Sequence, residues 1–121
     1  MCKLQISYIL HILEECTFII STTKDVDKND FLKNEIMKRA IVRSIEIIGE
    51  ATKKTDIDFK KKWNEIEWKQ LAGMRDKLIH DYFGINYNIV WDVAKNKIPQ
   101  LKIDIEKIIK NEEKYNQKNL F

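Results

Sequence analysis

The stretch Trp68–Gly84, WKQLAGMRDKLIHDYFG, decides the fold. Its apolar residues Trp68, Leu71, Ala72, Leu78 and Ile79 recur at the spacing of one helical face. With Arg75 placed at 0° on a helical wheel, Trp68 lies at about 20°, Leu71 at about 320°, Leu78 at about 300° and Tyr82 at about 340°. Arg75 therefore falls in the middle of the apolar stripe. A guanidinium cannot shed its charge, so burying it alone costs on the order of several kcal/mol. An acidic residue should meet it, and Glu46 and Glu50 on the preceding helix are the candidates. The plainest reading of Arg75 is then a buried ion pair that fixes helix register.

Working outward, the rest of the chain repeats the helical pattern. A first helix is expected over about residues 3–22, where Tyr8, Ile9, Ile12, Leu13, Cys16, Ile19 and Ile20 share one broad arc. His11 points to the other side, toward solvent. The loop TTKDVDKND, residues 22–30, offers Asp27, Asn29 and Asp30 as caps. A second helix is expected over about 31–54, with Ile36, Ala40, Ile47, Ile48 and Ala51 inward and Arg39, Arg43, Glu46 and Glu50 on its flanks. TDIDFKKKWN, residues 55–64, lacks a clean period and reads as a connector whose Ile57, Phe59 and Trp63 tuck into the core. The third helix is expected over about 65–82, with Gly84 suited to a left-handed C-terminal cap. Asn86 or Asn88 then opens a short helix carrying Val90, Trp91 and Ala94. Pro99 marks a break or the first turn of a last helix with Ile98, Leu101, Ile105, Ile108 and Ile109 inward. The fold class is all-α, an antiparallel four-helix bundle with an additional short helix, in one domain over residues 1–121.

Composition agrees. One proline and three glycines in 121 residues are too few turn-formers for a many-stranded sheet protein. A formal charge of +3 permits contact with RNA without the dense basic patch of a dedicated nucleic-acid binder. The lysine-rich runs KKTDIDFKKK (53–62) and KNEEKYNQK (110–118) read as solvated surface. Cys2 and Cys16 lie too far apart for a metal or redox spacing, and Cys16 falls on the apolar face as a buried free thiol. No metal cluster or cofactor motif is visible. The start of the chain lacks a basic signal-peptide region and no long apolar run occurs, so a cytoplasmic location with no membrane association is expected.

A second group of residues gives the third helix chemical content. Asp76 and His80 lie at about 100° and 140° on the same wheel, and Gly73 joins them at about 160°. Glycine inside a helix costs roughly 1 kcal/mol relative to alanine, which close approach of another backbone or subunit would explain. Gly49 raises the same question on the second helix, where tight packing within one chain is an equally good reason. An imidazole can take or give a proton near neutral pH, and a guanidinium offers a fork of donors to phosphate oxygens. RNA supplies its own nucleophile, the 2′-hydroxyl, so no metal is required. Arg75 and His80 diverge by about 140° in a straight helix. Either the helix loosens near His80 or a site is shared across a homodimer, which is the favoured arrangement.

These residues resemble a known family. MRDKLIHDYFGI (74–85) matches the R-x4-H-x-Y signature of HepT-like proteins, the toxin component of HepT/MntA type VII toxin–antitoxin pairs in the HEPN superfamily. The likeness extends through RAIVRSIEIIGEA (39–51) and VWDVAKNKIPQL (90–101), from about residue 31 to 101. It implies an all-helical homodimer whose two motifs line an interface cleft and act as a metal-independent ribonuclease. By motif position Arg75 would engage the phosphate and His80 would do acid–base work, with Asp76 and Glu50 supporting them. Tyr82 matches the tyrosine to which an MntA-like nucleotidyltransferase antitoxin transfers AMP, silencing the toxin. The residue after the arginine is often asparagine in the family. Here it is Asp76, which either orients His80 from one turn away or weakens RNA binding. The alternative is a non-catalytic helical substrate-binding or regulatory partner of a small nucleotidyltransferase; a helical dimer with no nucleotide connection is a third.

Overall fold

The computed structural model describes residues 3–81 and 83–119, and the side chains of residues 6–81 and 83–112. Cys2 and Tyr82 lie outside the described residues. Four long helices, α1 (Lys3–Thr23), α3 (Glu35–Lys54), α5 (Trp68–His80) and α7 (Ile98–Asn119), carry the architecture, with short helices α2 (Lys28–Lys33), α4 (Ile57–Lys62) and α6 (Tyr87–Asp92) between them. No strand occurs among the described residues. The all-α expectation holds.

α1 lies between α3 and α7, and α5 packs on α3. Ser44 of α3 donates to the Glu15 carboxylate at 3.0 Å, and Lys95 Nζ, just before α7, reaches the Thr23 carbonyl at 3.0 Å. That lysine joins the Val26 N–H, at 3.2 Å, on a carbonyl at the C-terminus of α1. Asp25 follows in the left-handed region with φ 59°, which a short polar side chain tolerates. The core joins Ile9, Ile12, Cys16 and Ile19 of α1 to Ile41, Ile45 and Ile48 of α3 and to Ile105 and Ile108 of α7. The α1 stripe is as expected. Cys16 is a buried free thiol, and burial pushes it up to about 12.

Several boundaries differ from the expectation for physical reasons. The helix expected over 31–54 is divided at Asn34, which ends α2 and caps α3 by accepting from the Met37 N–H at 3.0 Å. A short amide side chain competes with helical backbone bonding and favours such a cap. Asp27 is the acid that caps α2, accepting from Asp30 N–H at 2.8 Å. Ile36, expected inward, is 84% exposed, because it precedes the buried Ile41 by five residues and lies about 140° away from it. The 55–64 connector contains α4, capped by Asp56. Phe59 is buried and Trp63 partly so, whereas Ile57 is 65% exposed.

The start of α5 moves from 65 to Trp68, with Ile66 buried in the preceding loop. Its last helical residue is His80, and Asp81 is its C-cap. Gly84 is not the left-handed cap expected of it, since no glycine has positive φ; its N–H donates to the Asp81 carbonyl at 2.7 Å. Asn86 caps α6. Phe31 of α2 meets Trp91 of α6 at 5.0 Å between ring centroids, which holds the two short helices together.

Pro99 stands in the first turn of α7, the second of its two expected places, and does not break the helix. A π-helical turn over Val93–Lys97 joins α6 to α7, and the Ile98 N–H bonds to the Val93 carbonyl, five residues back. A proline inside a helix lacks an N–H and crowds the carbonyl four residues before it, here that of Lys95, which lies within the wider turn. Among the described residues no helix is long and apolar enough to cross a membrane.

Candidate functional site

Arg75 reaches its position through Gly49. A Cβ built on Gly49 would fall 2.1 Å from the Arg75 Cβ and 2.8 Å from the Leu71 carbonyl oxygen. Only a residue without a side chain lets α3 and α5 cross this closely. Tight packing within one chain therefore explains Gly49. Gly73 is the opposite case: a Cβ there would meet nothing within 4 Å.

On α5 the buried residues are Trp68 and Leu78, with Leu71 and Met74 partly buried against the core. Arg75 sits at the edge of this line rather than at its centre, and its side chain is 29% exposed. The stem packs against α3 while the guanidinium turns toward the surface, as long cationic side chains do. Its Nε is buried and has no hydrogen-bond partner among the described residues.

The acidic partner is Asp76, not a glutamate of α3. Arg75 Nη1 donates to Asp76 Oδ1 at 3.1 Å. Glu46 instead pairs with Arg43 at 3.4 Å, and Glu50 with Lys54 at 3.6 Å. Both glutamates find a cation on their own helix, one turn away, before α5 can offer one. The expected buried pair between Arg75 and Glu46 or Glu50 is thus replaced by a half-exposed pair between chain neighbours. Glu50 stands on the surface of α3, outside this cluster.

Asp76 has a second cation. Lys53 Nζ, from α3, donates to the same Oδ1 at 2.6 Å. The Lys53 and Arg75 hydrogen bonds, in that order, hold the Asp76 carboxyl below its ordinary value of 3.8. Lys53 stood inside a charge run that reads as solvated surface. Its position gave a usable signal, since it lies four residues beyond Gly49 and therefore on the helix face that meets α5.

His80 is exposed in the last turn of α5, one turn beyond Asp76. The helix stays regular through it, so no loosening swings the imidazole toward Arg75. The guanidinium and the imidazole border different flanks of α5, with Asp76 between them. Exposed apolar residues adjoin His80 in the chain: Ile79 is partly uncovered and Phe83 is 92% exposed. Tyr82, on which the resemblance places the AMP, lies outside the described residues. His11, expected on the surface, is there.

An all-helical domain with an arginine and a histidine five residues apart on one helix is the arrangement of the HEPN class. A family model described as "Ribonuclease HepT-like" matches residues 12–108, and the chain belongs to that family. Among curated proteins it is 47% identical over 105 residues to a candidate RNase of Caldanaerobacter subterraneus subsp. tengcongensis, covering 87% of this chain and 94% of the relative. A candidate RNase of Methanocaldococcus jannaschii is 46% identical over 114 residues, covering 94% of each chain. A protein of Thermococcus cleftensis named a probable ribonuclease HepT is 42% identical over 103 residues, covering 85% of this chain and 94% of its own. No solved structure matches the chain.

Proposed function

We propose that this chain is a metal-independent endoribonuclease, the toxin of a toxin–antitoxin pair acting as one domain over residues 1–121 in the cytoplasm. Arg75 and His80 carry the activity at a cleft between two copies of the chain. The observation behind this reading is the family match across residues 12–108, which spans both residues, with the guanidinium partly open and the imidazole exposed.

The chemistry follows from those two groups. The 2′-oxygen of RNA attacks the adjacent phosphorus while an imidazole takes its proton. The bond from phosphorus to the 5′-oxygen breaks, and a protonated imidazole gives that oxygen a proton. The products are a 2′,3′-cyclic phosphate and a 5′-hydroxyl. Arg75 donors stabilise the charge that builds on the phosphoryl oxygens. Because the nucleophile belongs to the RNA, the step needs an acid and a base rather than an activated water. Two copies of His80 supply both. Support for a second copy comes from the surface around His80, where Gly73 leaves room on the same flank of α5 and Ile79 and Phe83, close to His80 in the chain, are exposed.

Control falls to an MntA-like nucleotidyltransferase that transfers AMP to Tyr82, two residues beyond His80. The added phosphate repels RNA and its bulk blocks the path. A second reading, a non-catalytic partner of such a nucleotidyltransferase, is favoured by the Asp76 carboxylate engaging the Arg75 guanidinium.

The test is to express the chain without a partner, check its intact mass for added AMP, and incubate wild type and His80→Ala with RNA in EDTA. Cleavage by unmodified wild type, absent from the variant, is the expected result. Folded, unmodified wild type that leaves RNA intact would favour the non-catalytic reading.

A further inference from the structure

We infer that Lys53 is a phosphate-binding residue of the RNA site and that the Asp76 carboxylate occupies the place of the phosphate when RNA is absent. The inference rests on the proposed ribonuclease reading and assigns a residue outside the arginine–histidine motif.

Asp76 Oδ1 accepts from Lys53 Nζ at 2.6 Å and from Arg75 Nη1 at 3.1 Å, so one oxygen gathers cations from two helices. Both donors remain open to solvent, with Lys53 43% and Arg75 29% exposed. Two converging donors, one of them a guanidinium, are what a phosphodiester oxygen seeks. The carboxylate that now joins them has the charge and oxygen chemistry of one edge of a phosphate.

The position of Lys53 also bears on the gap between Arg75 and His80. These two residues diverge by about 140° around α5, while Asp76 lies at about 100°, on the His80 side. Asp76 and His80 are neighbours at i and i+4, with about 5–6 Å between their Cβ atoms. Lys53 comes from α3 to Asp76 and so brings a positive charge to the flank that carries the imidazole. Its contact with Asp76 places Lys53 on the side of α5 between the two motif residues. The Gly49 crossing fixes this geometry, because it brings α3 against α5 one turn before Lys53.

Asp76 is then a positioning residue with two opposed effects. It holds Lys53 and Arg75 together before RNA arrives, and it competes with RNA for the same donors. Removing its charge while keeping its shape should strengthen RNA binding, whereas removing the Lys53 charge should weaken it. A purely structural ion pair makes a different forecast, because breaking it from either side has the same consequence.

The experiment measures binding of a fluorescein-labelled mixed-sequence oligoribonucleotide to unmodified protein in the non-cleaving His80→Ala background. Lys53→Gln, Lys53→Arg and Asp76→Asn are compared, with thermal melts to establish that each is folded. Lys53→Gln should weaken binding about tenfold, the scale of one hydrogen bond to a charged group. It should also reduce the slope of log affinity against log salt by about one. Lys53→Arg should restore both, and Asp76→Asn should tighten binding. Equal affinities for Lys53→Gln and the parent, or a loss in both Lys53→Gln and Asp76→Asn, would overturn the inference. If the His80-containing protein fails to cleave while RNA still binds, the nuclease reading falls and the binding comparison still decides the role of Lys53. A folded parent that binds no RNA overturns both.

Discussion

Gly49 and Arg75 meet at the crossing of α3 and α5 with no room for a side chain on the glycine, whose Cβ would lie 2.1 Å from that of Arg75. The backbone contact places the arginine, while its charge is met at the surface by the residue next to it. Gly49→Ala should therefore destabilise the fold by about 1–3 kcal/mol, the range for forced overpacking. Any RNA cleavage should fall further than stability explains, because Arg75 must move. Denaturant unfolding together with an activity assay on the folded fraction checks both parts.

Gly73→Ala should act in the reverse sense. A Cβ there meets nothing within 4 Å, so the helix itself should gain up to about 1 kcal/mol. If a second copy approaches this face, the same change weakens association. Analytical ultracentrifugation across a concentration series separates the two: a more stable monomer with a larger dimer dissociation constant supports the shared cleft. An unchanged dimer places the interface elsewhere.

Acid should release the α3–α5 tie late. Asp76 is held below its ordinary carboxyl value by Lys53 first and Arg75 second. A depressed carboxyl contributes stability that is complete above its unfolded pKa and is lost as pH falls through the lower folded value. The contribution is therefore intact from neutral pH to about pH 5 and fades below about pH 4. Asp76→Asn should flatten that acid limb of a melting-temperature profile. Parallel profiles for variant and wild type below pH 4 would count against it.

Cys16 should be silent toward alkylating reagents while the protein is folded. The thiol is buried and its pKa is raised to about 12, so its reactive thiolate is scarce at neutral pH. In a Cys2→Ser background, iodoacetamide should label Cys16 at a rate that follows unfolding. Rapid labelling under native conditions would show that the α1 face opens without global unfolding.

Glu112, which contacts neither Arg75 nor Asp76, should prove structural. It is only 3% exposed and accepts from Lys62 Nζ at 2.9 Å and from Trp63 Nε1 at 3.2 Å, which ties α4 and its cap to α7. Glu112→Ala removes the acceptor of a tryptophan N–H and should cost about 1–3 kcal/mol. RNA cleavage per folded molecule should not change, and a selective loss of activity would contradict this assignment.

Helix existence and the α1 face were legible in the sequence because apolar spacing records them directly. The family signature around Arg75 and His80 was equally legible. The partner of Arg75 was not. A wheel tells which face of a helix is apolar, but not which of several acids wins a cation once each helix has satisfied its own. Glu46 and Glu50 were taken up by Arg43 and Lys54, leaving Asp76. Lys53 was hidden for a related reason, since composition around it is that of a solvated run and only the Gly49 crossing brings it to α5. The break at Asn34 shows a third limit, because a single capping amide ended a helix that hydrophobic period alone would have continued.

The π turn before Pro99 has a consequence for sequence change. Val90, Ala94 and Ile98 are all buried, at intervals of four, and the wide turn over Val93–Lys97 keeps them in line where an ordinary helix would let them drift by about 80°. The turn is thus a phase corrector holding one surplus residue. Deleting a residue from Val93–Lys97 would restore regular winding and still leave Val90, then seven residues from Ile98, within about 20° of it around the helix. Val90 would stay in the core and Trp91 beside Phe31. Inserting a further residue there would instead turn α6 against α7 by about 100° and part Trp91 from Phe31, detaching the two small helices far from Arg75.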